Sequence, residues 1–218
     1  MPSATGAPAI FVLAGINGAG KSSVGGAFLR EAGLDYFNPD EAAKRIRDAI
    51  ECSTSAANSF AWKEGKERLE AAIRGRLSYA FESTLAGRTF PGLLVEAASE
   101  GIDVVVWFIG LATPVQHIAR VRARVAAGGH DIPEALIRQR WDRSRRNVVK
   151  LMPHLAELRV FDNSEEGDPS TGTIPAPRLL LHWKQGRMVG PGLRRLADTP
   201  EWAKPIVAAA LMLNRGRS

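Results

Sequence analysis

The chain has 218 residues, 45% of them hydrophobic, enough to bury a core of ordinary size, and its single cysteine, Cys52, excludes a disulfide framework and any cysteine-based zinc site. Its 29 basic and 23 acidic residues give a net charge of +6, but much of the excess is arginine between Arg120 and Arg146, with no aromatic ribonucleoprotein motif or zinc finger, so nucleic acid is not the expected partner. No apolar stretch approaches a membrane span, and Met1 to Pro8 lack the basic and apolar regions of a signal peptide, so a cytoplasmic protein is expected.

The first predicted element is a strand, Ala9-Ile10-Phe11-Val12-Leu13-Ala14, whose continuous apolar run suits burial on both faces. Directly behind it, Gly15-Ile16-Asn17-Gly18-Ala19-Gly20-Lys21-Ser22 fits the phosphate-loop pattern G-x-x-x-x-G-K-[ST] at every fixed position. Gly15, Gly18 and Gly20 let the backbone turn its N–H groups, those of Asn17 and Ala19 among them, into one concavity that holds phosphate oxygens. Lys21 adds a cation for the β- and γ-phosphates, Ser22 a hydroxyl for Mg²⁺, and Ser23 lies next in the nucleotide-binding run. Val24, Ala27, Phe28 and Ala32 then fall on one helical face before Gly33, so strand, loop and helix follow in the order that ATP binding needs.

Leu34 to Phe37 reads as a short strand ending in Asn38-Pro39-Asp40-Glu41, a capping box for a helix to about Ile50. Asp40 is then either an acid favoured by the helix dipole or, at a strand end facing the crevice beside the phosphate loop, a carboxylate that accepts the proton of an attacking hydroxyl. From about Ala56 to Tyr79 the apolar spacing is helical, through Leu69, Ala72, Ile73, Leu77 and Ala80, with Phe60 and Trp62 read as core. Phe81 to Gly87 reads as a polar interruption before a helix from Thr89 or Phe90 to Gly101. In it Glu82 is either a solvated acid or a group orienting a substrate hydroxyl or a metal-bound water, with Ser83 and Thr84 as further donors.

Ile102 to Leu111 holds a second fully buried strand. It lacks the terminal Asp of a Walker B strand, so the second protein contact to Mg²⁺ is expected from elsewhere, with Asp40 or Glu82 acting through water as the candidates. Thr113-Pro114-Val115-Gln116 caps a helix carrying Arg120, Arg122 and Arg124 that stops at Gly128-Gly129, and Asp131 to Glu134 opens another carrying Arg138, Arg140, Arg143, Arg145 and Arg146. Two arginine-loaded helices hinged at Gly-Gly read either as a solvated basic face or as a lid that closes over ATP, and the lid is the favoured reading. Glu157 to Ser164 is a last core strand and its exit, Ser164 to Pro177 a surface loop, Arg178 to Val189 a hairpin around Gln185-Gly186, and Thr199-Pro200 the cap of a final helix to about Asn214. The expected fold is α/β, a three-layer P-loop NTPase fold with a central, mostly parallel sheet, an arginine-rich helical lid and a C-terminal hairpin plus helix. One domain is expected over 1–218, its core spanning 10–164 and the C-terminal loop, hairpin and helix 165–218.

With these residues in place the chain resembles the zeta toxin family of P-loop kinases, in a short bacterial branch of ATPases or kinases. The resemblance runs from about Ile10 to Ser164. It rests on the phosphate loop with Asn17, on Asn38-Pro39-Asp40-Glu41, Glu82-Ser83-Thr84-Leu85 and Arg120-Val121-Arg122-Ala123-Arg124-Val125, on Gly128 to Pro133, on Arg140-Trp141 and Arg143-Ser144 with Asn147, and on Asp162-Asn163-Ser164. It implies ATP-dependent phosphorylation of a small-molecule hydroxyl, that of UDP-N-acetylglucosamine in the better known toxins. Asp40 would be the base, Lys21 the phosphate anchor, and Glu82 a substrate-site acid alongside Asn38, Ser83, Thr84 and Arg120. Arg120, Arg124, Arg138 and Arg140 compete for the two γ-phosphate clamps, of which Arg124 and Arg140 are favoured; His130 stands near a clamp or is a loop residue. The implied cofactors are ATP and Mg²⁺, and an antitoxin protein enters as a partner.

The alternative is an ATP-binding regulatory or interaction protein of a toxin–antitoxin-like system without robust kinase activity. A GTPase is excluded because no Asn-Lys-x-Asp guanine motif is present, and a transporter-type ATPase because no strand ending in Asp-Glu follows Val125 to His130.

Overall fold

The computed structural model describes residues 7–23, 25, 36–129, 131–167 and 175–215. The predicted helical face at Val24, Ala27, Phe28 and Ala32, the strand start at Leu34-Asp35, His130 and the middle of the 164–177 loop lie outside the described residues.

A six-stranded sheet runs in the order β2-β1-β3-β4-β5-β6. Its strands are β1 (Ala9–Ala14), β2 (Tyr79–Ser83), β3 (Asp103–Gly110), β4 (Glu157–Asp162), β5 (Arg178–Lys184) and β6 (Arg187–Gly190). The first four are parallel, and β5 and β6 add antiparallel. The helices are α1 (Pro39–Ile50), α2 (Thr54–Gly75), α3 (Thr89–Ser99), α4 (Pro114–Ala126), α5 (Glu134–Leu151), the short α6 (Leu193–Leu196) and α7 (Lys204–Arg215).

β1 is apolar throughout because both its faces are covered. Ile10, Val12 and Ala14 join the core on one side, while Phe11 and Leu13 join a second cluster on the other. β3 alternates in the same way, Val104, Val106 and Phe108 against Trp107 and Ile109. The second face meets the helix that opens at Lys21, where Gly25 lies so close that a methyl group there would sit 2.2 Å from Leu13 Cδ1. A third cluster, built on Ile16, Ile118, Val121, Ile132 and Ile137, seats α4 and α5 on the phosphate loop.

Four expectations need correction. The helical periodicity does not reach Tyr79: α2 ends at Gly75, where Arg76 turns left-handed (φ 49°) and Leu77 N–H closes back on Ala72 O at 2.9 Å. Tyr79 to Ser83 is strand β2, not a polar interruption, because its edges pair with β1 on one side and with Phe37 on the other. Phe60 and Trp62 are not core but about half exposed, at 50% and 47%. Further along, β4 is not the last core strand, since β5 pairs with it and buries Leu181 and Trp183. The hairpin beyond the loop therefore widens the central sheet.

Candidate active site

The site lies at the carboxyl ends of the parallel strands, where their loops converge and ligands of open α/β sheets bind. Gly15, Gly18 and Gly20 adopt φ of 141°, 81° and 85°, and side chains at Gly18 and Gly20 would meet His117 O at 2.6 Å and Asn163 Nδ2 at 2.5 Å. The loop is thus clamped from outside by His117, which motif reading does not flag, and by Asn163 of the Asp162-Asn163-Ser164 run. Neutral His117 donates from Nδ1 to Asn17 O (2.9 Å), which sets its tautomer. Burial, with smaller contributions from Lys21 and Arg120, pushes its pKa down to about 4 against the opposing effect of that hydrogen bond. Asn163 donates from Nδ2 to Ala19 O (2.9 Å), and its own carbonyl accepts from Arg120 Nη2 at 2.8 Å.

Lys21 and Ser22 both meet Glu82. Lys21 Nζ lies 3.2 Å from Glu82 Oε1, and Ser22 Oγ donates to Glu82 Oε2 at 3.0 Å. Asn38 uses both ends of its amide: Oδ1 caps α1 through the N–H groups of Asp40 (2.9 Å) and Glu41 (3.3 Å), and Nδ2 donates to Glu82 Oε2 at 3.3 Å. The strand beside β1 on the Ser22 side is β2, and its acid at that edge is Glu82.

Asp40 stands at the wall shared by two clefts, of about 380 and 360 Å³. The larger is lined by Asn17, Glu82, Ser83, Thr84, Arg140 and Arg143 and by an aromatic wall of Phe37, Trp62, Phe81 and Phe90. The smaller is lined by Ser22, Asn38, Arg124, Gly128 and Gly129. Arg124 Nη1 lies 3.7 Å from Asp40 Oδ2, and Arg140 donates from Nη1 to Asn17 Oδ1 at 2.6 Å. Burial disfavours charge on Arg140, and the carboxylate of Asp40 opposes that effect. Ser83 Oγ accepts from Leu85 N–H and Thr84 Oγ1 from Ala86 N–H, so both hydroxyls shape the turn after β2 at the cleft wall.

The arginines thus divide. Arg120, Arg124 and Arg140 converge on the loop and Asp40, whereas Arg122 pairs with Glu134 across the two helices and Arg145 turns away to stack on Trp141. Arg138 is exposed and contributes to neither cleft. Among the described residues there is no group of three or more His, Cys, Asp or Glu that forms a metal cage, and no helix long and apolar enough to cross a membrane.

The sequence profile of the family described as Zeta toxin matches residues 1–167. The chain belongs to the zeta toxin family. An uncharacterized protein of Haemophilus influenzae is 29% identical over 127 residues, which cover 58% of this zeta toxin family chain and 88% of the relative. Solved structures extend the likeness of fold past the profile. A chain from the AvrRxo1-ORF1:AvrRxo1-ORF2 complex with sulphate ions superposes with a TM-score of 0.62 at 16% identity, over 94% of this chain and 64% of that one. The same complex with ATP gives a TM-score of 0.63 at 18% identity. A chain from the PezAT toxin–antitoxin system of Streptococcus pneumoniae gives 0.57 at 13% identity, over 95% and 86%.

Two residues escaped the sequence reading as contributors to this zeta toxin family site. His117 falls on the buried face of α4, four residues after the Thr113 cap, and only that amphipathic position hinted that it points inward. Asn163 sits in the Asp162-Asn163-Ser164 run, yet its reach to Ala19 depends on a pairing across 144 residues that no local pattern encodes.

Proposed function

We propose that this protein is an ATP-dependent phosphotransferase that moves the γ-phosphoryl group of ATP to a hydroxyl of a small molecule, with UDP-N-acetylglucosamine as the first candidate acceptor. The observation that carries the reading is the position of Asp40, a half-exposed carboxylate on the wall between two clefts, beside Arg124 and within the field of Arg140. A kinase needs a base at the point where nucleotide and acceptor meet, and cations around the phosphoryl group in flight.

In this mechanism the N–H groups of Gly15 to Ser22 and the ammonium of Lys21 hold the β- and γ-phosphates. Lys21 leaves the carboxylate of Glu82 to do so. The carboxylate of Asp40 takes the acceptor's hydroxyl proton as the acceptor oxygen bonds to γ-phosphorus and the bond to the β,γ-bridging oxygen breaks, releasing ADP. Arg124 and Arg140 neutralise charge on the transferring group, which is worth ~10³ to 10⁵ in rate where an arginine is so placed. The donor set of Ser22 Oγ and the Glu82 carboxylate, 3.0 Å apart, fits Mg²⁺, which is bound through one or two protein oxygens plus phosphates. When bound, the ion supplies neutralisation of the β- and γ-oxygens.

The larger cleft, with its aromatic wall and Arg143 at its rim, suits an acceptor that carries a ring and an anionic group. The PezAT relative comes from a toxin–antitoxin system. We extend from it the proposal that an antitoxin protein is a second partner.

The test is purified protein with Mg²⁺ and γ-labelled ATP, with and without UDP-N-acetylglucosamine, and Asp40→Ala as control. Label on the sugar nucleotide that vanishes in the variant is the expected result. Slow ATP hydrolysis alone leaves the phosphate loop standing and removes this acceptor. Transfer undiminished in Asp40→Ala overturns the base.

A further inference from the structure

The family profile ends at residue 167, yet the chain beyond it packs on the ends of β3 and β4, which lead into the loops around the phosphate loop. Trp202, only 2% exposed, presses its ring on the end of β3, so closely that a methyl group at Gly110 would lie 2.5 Å from the indole. Its Nε1–H donates to Asp162 Oδ1 at 3.3 Å, and Arg178 approaches Asp162 Oδ2 at 3.5 Å. Asp162 also accepts from the Ser164 hydroxyl, whose oxygen accepts from Ala112 N–H at 2.7 Å. Between Asp162 and Ser164 stands Asn163, bound through its N–H to Gly110 O (2.9 Å), through Nδ2 to Ala19 O in the phosphate loop (2.9 Å) and through its carbonyl to Arg120 (2.8 Å).

We infer that the C-terminal segment is a brace for nucleotide binding: Trp202 and Arg178 are positioning residues that fix Asp162, and through it hold Asn163 where it shapes the phosphate loop and orients Arg120. The inference rests on the phosphate loop being the ATP site. The physical basis is one of degrees of freedom. Asp162 ends β4 with its backbone paired to Gly110 and Arg178, but its side chain takes a single orientation only if partners saturate the carboxylate before the chain leaves the sheet. Two come from the segment outside the family match. Trp202 is itself held, its carbonyl accepting from Arg145 Nη1 at 3.2 Å while that guanidinium stacks on Trp141 at 3.4 Å. The turn that leads into α7 thereby couples to α5, which also carries Arg140.

The test measures the dissociation constant of a fluorescent ATP analogue for the full chain and for Trp202→Phe, Arg178→Gln, Asn163→Ala and Trp202→Phe/Asn163→Ala, with the thermal midpoint read on each. Trp202→Phe keeps an aromatic ring and deletes the N–H donor, while Arg178→Gln lies on a half-exposed side chain and reports even if the tryptophan variant unfolds. The expected result is about three- to tenfold weaker binding for each single change, the size of one hydrogen bond. In the Asn163→Ala background Trp202→Phe adds less than about twofold, because the route through Asn163 is already cut. Unchanged affinity in both Trp202→Phe and Arg178→Gln overturns the brace, as does the same loss with and without Asn163. A parent protein that binds no ATP analogue overturns the nucleotide site itself, and the brace with it.

Discussion

Lys21 Nζ and Glu82 Oε1 lie 3.2 Å apart, with both side chains almost sealed from solvent. The same carboxylate accepts from Ser22 and Asn38, so one acid neutralises the loop's cation, touches its hydroxyl and ties both to the cap of α1. In the proposed mechanism, phosphates entering the loop compete with Glu82 for Lys21 and free the acid to face a cation.

Glu82→Gln removes the counter-charge of a buried ammonium and leaves a similar shape. Breaking such a pair costs ~3 to 5 kcal/mol, and the retained hydrogen bonds put the expected loss at the lower end. Thermal denaturation of the nucleotide-free protein reads this directly. The Mg²⁺ concentration for half-maximal ATP turnover should rise at least ~10-fold. An unchanged Mg²⁺ requirement would remove Glu82 from the metal's surroundings.

Arg140→Ala should lower phosphoryl transfer by ~10³, the lower end for an arginine at the transferring group, whereas Arg138→Ala, two residues away on the exposed side, should stay within about twofold. Steady-state rates on both variants decide it. Equal losses would mean that the helix acts as a general basic face.

His117 gives a pH signature. Its pKa drops from 6.5 to about 4 in the folded protein, so the neutral form is the one the fold accepts. The unfolded chain binds more protons between those values, and stability therefore falls as the pH drops from about 6.5 to about 4 and levels off below, by ~1.4 kcal/mol for each pH unit crossed in that window. The thermal midpoint of His117→Gln, which keeps a donor for Asn17 O, should fall less steeply over the same range. Parallel profiles would show that the histidine titrates normally.

Trp62 stands about half exposed on the aromatic wall, edge-on to Phe90 with ring centroids 6.2 Å apart. Trp62→Ala should raise the acceptor KM about three- to tenfold, the worth of one ring contact, and leave the KM for ATP alone. Substrate titrations separate the two; a rise for ATP instead would mean that the nucleotide base occupies this wall.

Much of the site was legible because its parts are contiguous. The phosphate loop, the Asn38 cap with Asp40 at the start of α1, and the two arginine-bearing helices each depend on neighbours in the chain, and all appear where the pattern put them. What misled was overlap: Leu77 and Ala80 continue the helical spacing of α2 although the chain turns at Arg76, since apolar residues one strand away fit a 3.6-residue repeat by coincidence. Trp62 was misread for a related reason, as hydrophobicity alone does not separate a core face from the wall of a cleft.

By itself the sequence determined the family, the phosphate loop and the strands β1, β3 and β4 with the capped helices between them, because each is a local pattern of glycine geometry, capping or apolar period. Only the tertiary structure decided that β2 lies beside β1, so that Glu82 and not an acid on β3 meets Ser22, that His117 and Asn163 hold the loop from across the chain, and that Trp202 reaches Asp162. Strand order and long-range hydrogen bonds arise from how whole elements pack their buried faces. Partners as distant as Trp202 and Asp162, 40 positions apart, leave no periodic trace in a single sequence.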